Sequence, residues 1–208
     1  MKIGVIAIQG DVEEHIKALK ATLAERGENE NENGEVIRIK HRGIVSSCDA
    51  IVIPGGESTT IGRLMEREGI TEELRDAAEE GKPLLGTCAG MILLAKEGDE
   101  EVKKTGQPLL GLMDVRVKRN AFGRQRESFE APLKMSIFDE PFPGVFIRAP
   151  CITHAADTVD VLATLDEDDD KMNKKIVAAR QGNIMALAFH PELTGDRRIH
   201  HYFLDTFL

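Results

Sequence analysis

Pro83-Leu84-Leu85-Gly86-Thr87-Cys88-Ala89-Gly90-Met91-Ile92-Leu93-Leu94-Ala95-Lys96 is the stretch on which the reading of this chain turns. A short apolar run ends in Gly86, and Cys88 follows two residues later. Gly90 then opens a run that reads as the first turns of a buried helix. A nucleophile between two glycines at a strand-to-helix junction forms an elbow, a turn so tight that a Cβ at Gly86 or Gly90 would clash. The thiol of Cys88 would then stand at a helix N-terminus, where the dipole and free N–H groups favour negative charge. The same five residues also fit a structural cysteine, because free cysteine is among the most buried residue types.

Working outward on the N-terminal side, Thr71 to Glu80 reads as a helix that Gly81 and Pro83 stop before the elbow strand. Ala50-Ile51-Val52-Ile53 is a strand ending in Pro54-Gly55-Gly56-Glu57-Ser58-Thr59-Thr60. Adjacent glycines after a parallel strand leave backbone N–H groups reachable by an anion or a developing oxyanion. A plain Pro-Gly turn capped by Ser58 or Thr59 is the alternative. No Gly-Lys-Ser/Thr follows, which argues against a phosphate-binding P-loop. Val36 to Ile39 is a further short strand, and Lys2 to Ile8 reads as a central strand covered on both faces. Asp11 with Glu14 looks like a helix start. Val12, Ile16, Leu19 and Leu23 repeat at helical spacing up to Gly27, a candidate C′ glycine. The polar run Glu28 to Glu35 reads as a solvated loop.

Strand–helix alternation up to about residue 97 calls for an α/β fold, a single domain over residues 1–208. It should be a doubly wound, mostly parallel sheet with helices on both faces and ligands at the carboxyl ends of its strands. The second half has short alternating stretches: Val115/Val117, Val145 to Ile147, Val159 to Leu165 and Ile176 to Ala179. These predict an added antiparallel β region. Asp166 to Asp170 reads as a solvated acidic loop, since it lacks the glycine and distal glutamate of a calcium site.

Ile184 to Phe189 is the last apolar strand, and it runs into His190-Pro191-Glu192. In an extended segment residues i and i+2 point the same way, so imidazole and carboxylate can lie side by side, stiffened by Pro191. Thiol, imidazole and carboxylate make up a nucleophile–base–orienter set. His15, His41, His154, His200 and His201 are expected on helices or loops in structural or surface roles, with no metal-ligand spacing among them. Ile199, Phe203 and Phe207 mark a closing helix.

Composition bounds the chemistry. The net charge of −9 argues against broad binding to nucleic acid or anionic membrane. One Tyr and no Trp leave no platform for stacking bases. Cys48, Cys88 and Cys151 are too few and too scattered for a disulfide framework or zinc site, so a reducing, cytoplasmic setting is expected. No signal pattern or apolar span of bilayer length is present.

Gly86-Thr87-Cys88-Ala89-Gly90 together with His190-Pro191-Glu192 resembles the class I, or triad, glutamine amidotransferases. Gln9-Gly10-Asp11, Pro54 to Thr59, Arg119 to Gln125, Phe146 to Pro150 and His190 to Thr194 are similar to the glutaminase subunits of pyridoxal 5′-phosphate synthases, in the same order along the chain. The resemblance implies hydrolysis of L-glutamine by Cys88, His190 and Glu192, with the ammonia passed to a partner synthase subunit and no cofactor or metal required. It further implies that Gly56, Glu57, Ser58, Arg119, Ile147 and Arg148 bind glutamine. Backbone N–H groups near Gly55 and Gly56, and that of Ala89, would make the oxyanion hole. A glutaminase of histidine or anthranilate synthesis would lack the Arg119 and Phe146 stretches. A cysteine-elbow stress sensor or chaperone would lack the His-x-Glu at the last strand.

Overall fold

The computed structural model describes the chain except residues 31–33, 124–126 and 167–173, and except the side chains of residues 28–30 and 166. The first half runs β1 (Lys2–Ile6), α1 (Val12–Glu30), β2 (Glu35–Ile39), β3 (Ala50–Ile53), α2 (Ser58–Arg67), α3 (Ile70–Glu79), β4 (Leu84–Thr87), α4 (Ala89–Leu94), β5 (Ala95–Gly98) and α5 (Glu100–Thr105). The second half runs β6 (Met113–Lys118), β7 (Ser128–Leu133), β8 (Phe142–Ile147), β9 (Cys151–Ala155), β10 (Asp160–Asp166), β11 (Lys174–Gln181), β12 (Ile184–Leu187) and α6 (Arg198–Phe207).

Ten strands form one sheet in the order β2-β1-β3-β4-β12-β11-β9-β6-β5, with β10 paired to β11. From β2 to β12 every pairing is parallel. β12, β11, β9 and β6 then pair antiparallel, and β5 joins β6 in parallel at the far edge. β7 and β8 make a separate antiparallel pair. The α/β expectation with an added antiparallel region therefore holds. β3 and β4 are buried at every residue, as strands covered on both faces must be. The order steps from β1 to β2 on one side and to β3 and β4 on the other. Parallel crossovers are right-handed, so this reversal puts α1 and the α2–α3 pair on opposite faces. α1 packs against α6, while α2 packs against α3 and α4.

Register brings the functional ends level. Leu187 pairs with Thr87 and Ile53 with Gly86, so the chain leaves β3, β4 and β12 at one rim. The β7–β8 pair is pinned to that rim by aromatic rings. Phe129 stacks on Phe146 at 4.7 Å, and Phe146 and Phe142 each lie 5.7 Å from Phe189. Each such ring pair adds about 0.5–1.5 kcal/mol beyond its buried area. Phe189 immediately precedes His190, whose N–H donates to the Val145 carbonyl at 2.9 Å.

Several expectations are corrected. β1 ends at Ile6, not Ile8. α1 runs past Gly27 to Glu30, so that glycine lies inside the helix and not at its C′ position. Glu28, Asn29 and Glu30, expected in a loop, are helical. An interior glycine costs about 1 kcal/mol relative to alanine, which a nineteen-residue helix packed on the sheet tolerates. Residues 31–33 of that polar run, and 167–170 of the acidic run, lie outside the described residues. α4 has only six residues, and Ala95 and Lys96 already belong to β5. The helix after the Pro-Gly-Gly turn is capped not by Ser58 or Thr59 but by Glu57, which accepts from the N–H groups of Thr59 and Thr60. His154 lies on β9, not on a helix or loop. β5, β7, β9 and α5 are additional to the sequence-based reading.

Candidate active site

Cys88 is the residue between β4 and α4, and its backbone takes φ 47° and ψ −100°. A non-glycine residue there costs on the order of 1–3 kcal/mol and persists only where its surroundings over-determine it. Here its N–H donates to Leu187 O at 2.7 Å, anchoring the turn to β12. A Cβ at Gly86 would meet the Gly90 backbone at 2.7 Å, and one at Gly90 would meet Ile53 O at 2.2 Å. Both glycines of the elbow are thus required by close backbone approach, as expected. The thiol faces the Ile147 carbonyl at 3.8 Å, at the end of β8.

His190 follows the end of β12, with Nδ1 2.7 Å from Glu192 Oε1. The route differs from the expected extended segment. Pro191–Leu193 forms a 3₁₀ turn with Pro191 at its start, and this turn, not strand alternation, folds the carboxylate back under the ring. Burial alone would depress the His190 pKa. Hydrogen bonding and charge from Cys88 and Glu192 outweigh it and raise the pKa to about 10. Burial pushes the Glu192 carboxyl up, and hydrogen bonding and charge from His190 offset part of that rise.

A cavity of about 320 Å³ opens over the thiol. Cys88, Ala89 and His190 line it with Gly56, Glu57, Ser58, Arg119, Ile147 and Arg148. Glu192 and Gly55 do not. The Glu192 side chain is fully buried behind His190, and a Cβ on Gly55 would lie 2.4 Å from His190 Cε1. Glu57 is half-exposed. Burial raises its pKa, but hydrogen bonds from Thr60 and Thr59 outweigh that and bring it to about 2, so it is a fixed negative charge at the cavity wall. Arg119 follows β6 and reaches Glu57 Oε1 at 3.4 Å, Thr59 Oγ1 at 3.2 Å and Gln107 Oε1 at 3.3 Å. Arg148 follows β8, has φ 43°, and donates its N–H to Glu127 O at 2.5 Å.

The sequence profile of the SNO glutamine amidotransferase family matches residues 5–208. The chain belongs to that family. The pyridoxal 5′-phosphate synthase subunit PdxT of Methanosarcina mazei is 62% identical over 208 residues, spanning 100% of this chain and 99% of that one. The protein of the same name from Methanococcoides burtonii is 59% identical over 205 residues, spanning 99% and 98%. A crystal structure of a glutamine amidotransferase superposes with TM-score 0.83 at 44% identity, covering 98% of this chain and 97% of that one.

For a glutamine amidotransferase the cavity holds groups beyond those expected. Gln9 and Asp11, after β1, line it along with Ile92 and Asn120. Asp11, expected as a helix cap, directs Oδ2 at His190 Nδ1, 3.4 Å away. Gln9 Oε1 accepts from the Glu57 N–H at 3.0 Å. Gln107 is buried beneath the cavity and takes hydrogen bonds from Ser58, Thr59 and Arg119 on one oxygen. His15, expected without company, is buried against Thr87 and Glu192. Gln9 and Asp11 could be found from their place at the end of a central strand, where ligands of such sheets gather. Gln107 and His15 carry no local signal. Arg124 and Gln125 of the Arg119 stretch lie outside the described residues.

Proposed function

We propose that this chain is the glutamine-hydrolysing subunit of a pyridoxal 5′-phosphate synthase, one glutaminase domain over residues 1–208, working in the cytoplasm. The reading rests above all on one observation. Cys88, on a strained elbow, shares a cavity with His190, whose Nδ1 is 2.7 Å from the buried Glu192 carboxylate.

The Cys88 thiolate adds to the side-chain amide carbon of glutamine, and the carbonyl oxygen takes the negative charge. Backbone N–H groups near Gly55 and Gly56, and that of Ala89, stabilise that oxyanion, at roughly 3–4 kcal/mol per donor. The C–N bond breaks as His190, an imidazolium at neutral pH, gives its proton to the departing ammonia. A glutamyl thioester remains. Neutral His190 then takes a proton from water, the hydroxide adds to the thioester, and glutamate leaves as the thiolate returns. Glu192 holds the ring throughout. Glu57 suits the substrate ammonium, and the guanidinium groups of Arg119 and Arg148 suit its carboxylate. No metal or cofactor enters these steps.

The relatives are named as subunits of pyridoxal 5′-phosphate synthase, which supports work in a hetero-oligomeric complex; the ammonia would pass there to the synthase subunit. Among the described residues no helix is long and apolar enough to cross a membrane. Three free cysteines fit a reducing compartment. The test is glutamate and ammonia release from glutamine, measured with and without a pyridoxal 5′-phosphate synthase synthase subunit. Hydrolysis in the mixture supports the reading, and its absence there refutes it.

A further inference from the structure

The carboxylate that orients His190 is approached from a second side. His15, in the first turn of α1, has Nε2 3.3 Å from Glu192 Oε1 and 2.9 Å from Thr87 Oγ1, and neither the His15 nor the Glu192 side chain has any exposure. Glu192 Oε1 thus faces Nδ1 of His190 at 2.7 Å and Nε2 of His15 at 3.3 Å, while Oε2 has no hydrogen-bond partner among the described residues. An ionised carboxylate only accepts, so a bare His15 Nε2 would set a lone pair against it. The arrangement calls for the tautomer with hydrogen on Nε2, shared between Glu192 and the Thr87 oxygen.

His15 is also uncharged. Burial, and then the charges of His200 and His190, push its pKa well below the ordinary range. A cation beside Glu192 would compete with His190 for the carboxylate, whereas a neutral N–H dipole steadies the carboxylate and leaves His190 its cationic partner. Thr87 is paired with Leu187 across β4 and β12 and stands next to the nucleophile. One ring therefore ties the strand end bearing Cys88 to the turn bearing Glu192.

We propose that His15 is a positioning residue of the triad: its Nε2–H holds the Glu192 carboxylate in place under His190 and links it to Thr87. The inference rests on the glutaminase reading above. The bland alternative is a buried histidine that only fills space between α1 and the sheet, and it predicts lost stability with no selective effect on turnover.

The test is steady-state glutamine hydrolysis by the protein in complex with a synthase subunit, for His15→Leu, His15→Asn and His15→Gln. The Gln amide N–H reaches the place of Nε2, whereas the shorter Asn amide reaches only that of Nδ1. Losing a hydrogen bond to a charged group should lower kcat about ten- to a hundredfold in His15→Leu and His15→Asn, with KM within about twofold. His15→Gln should recover to within about fivefold of wild type. The Gln–Asn comparison stands even if the Leu variant does not fold. Equal kcat in the Gln and Asn variants, or losses that simply follow the drop in Tm, would overturn the inference. A wild-type complex that hydrolyses no glutamine overturns the underlying reading instead, and the two failures are told apart by that control.

Discussion

Arg119 Nη2 stands 3.4 Å from Glu57 Oε1, so the two charges expected to grip opposite ends of a zwitterion lie against each other on one wall of the cavity. Glu57 is held there by the N–H groups of Thr59 and Thr60, and Arg119 by Gln107 and Thr59. Opposite charges held side by side in this way match an amino acid presenting ammonium and carboxylate together.

Arg119→Met and Arg148→Met should each raise KM for glutamine by about ten- to a hundredfold, the worth of a charge-assisted hydrogen bond. Reaction of Cys88 with a small uncharged alkylator should proceed at nearly the wild-type rate. Unchanged KM in both variants would return the arginines to ordinary surface pairing. Collapsed alkylation would show that they support the elbow.

Glu57→Gln should raise KM by a similar factor and lower Tm less than Glu57→Ala does, because its one amide oxygen can still accept from one of the two N–H groups that the carboxylate caps. Glu57→Ala should also cost about 0.5–2 kcal/mol through the lost cap. The Glu57 carboxyl, ordinarily near 4.5, is held at about 2 in the fold. A depressed pKa stabilises above the unfolded value and loses that contribution as pH falls through the folded one. The Tm gap between wild type and Glu57→Ala should therefore be full at neutral pH and shrink from about pH 4.5 towards pH 2. A gap independent of pH would show that the charge plays no part in the cap.

For His190 the sign is opposite. Its pKa rises from 6.5 to about 10 on folding, so its ionic contribution is fully present below pH 6.5 and is lost as pH climbs through 10. The stability difference between wild type and His190→Asn, followed by thermal melting, should narrow over that interval. A difference that widens would contradict the pairing with Cys88 and Glu192.

Gly90→Ala brings a Cβ within 2.2 Å of the Ile53 carbonyl oxygen. It should destabilise by at least the roughly 1–3 kcal/mol typical of overpacking and abolish glutamine hydrolysis. Gly195→Ala, with open space around it, should be neutral or slightly stabilising. Equal Tm values for the two variants would contradict the close-packed elbow.

The parallel half was legible because β1, β3, β4 and β12 are short, mostly apolar runs with a glycine within or near each, and the elbow carries its chemistry in consecutive residues. β7 was hidden by Pro132, which demotes a strand, and β9 by the polar Thr153-His154 within it. α5 had a readable cap in Asp99, which accepts from Glu101 and Val102, but the helix spans only six residues. The His190–Glu192 contact was anticipated through the wrong backbone, since a proline that fixes φ starts a 3₁₀ turn as readily as it stiffens a strand. His15 and Gln107 were invisible for a different reason. Their partners lie far along the chain and meet them only once α1 and the loop after α5 close over the sheet ends.

The coupling to a partner is open to a direct comparison. The Gly55 carbonyl accepts from the Asp11 N–H at 3.2 Å, which sets the orientation of the Gly55-Gly56 peptide. Glycines permit that peptide to turn at low steric cost, and a subunit that delivers ammonia should not spend glutamine alone. Hydrolysis should therefore be much slower for the isolated chain than for the complex. Equal rates would refute the idea that docking of a partner turns this peptide to complete the oxyanion hole.

The central claim is that Cys88 is the nucleophile, and the most direct measurement is the site of covalent labelling by a glutamine-mimicking electrophile, read by peptide mass spectrometry in the complex. Cys88 shares the cavity with His190, while Cys48 and Cys151 are buried elsewhere. The account predicts stoichiometric label on Cys88, none on Cys48 or Cys151, and loss of glutamate release in step with labelling. Label on Cys48 or Cys151 with Cys88 untouched would contradict it.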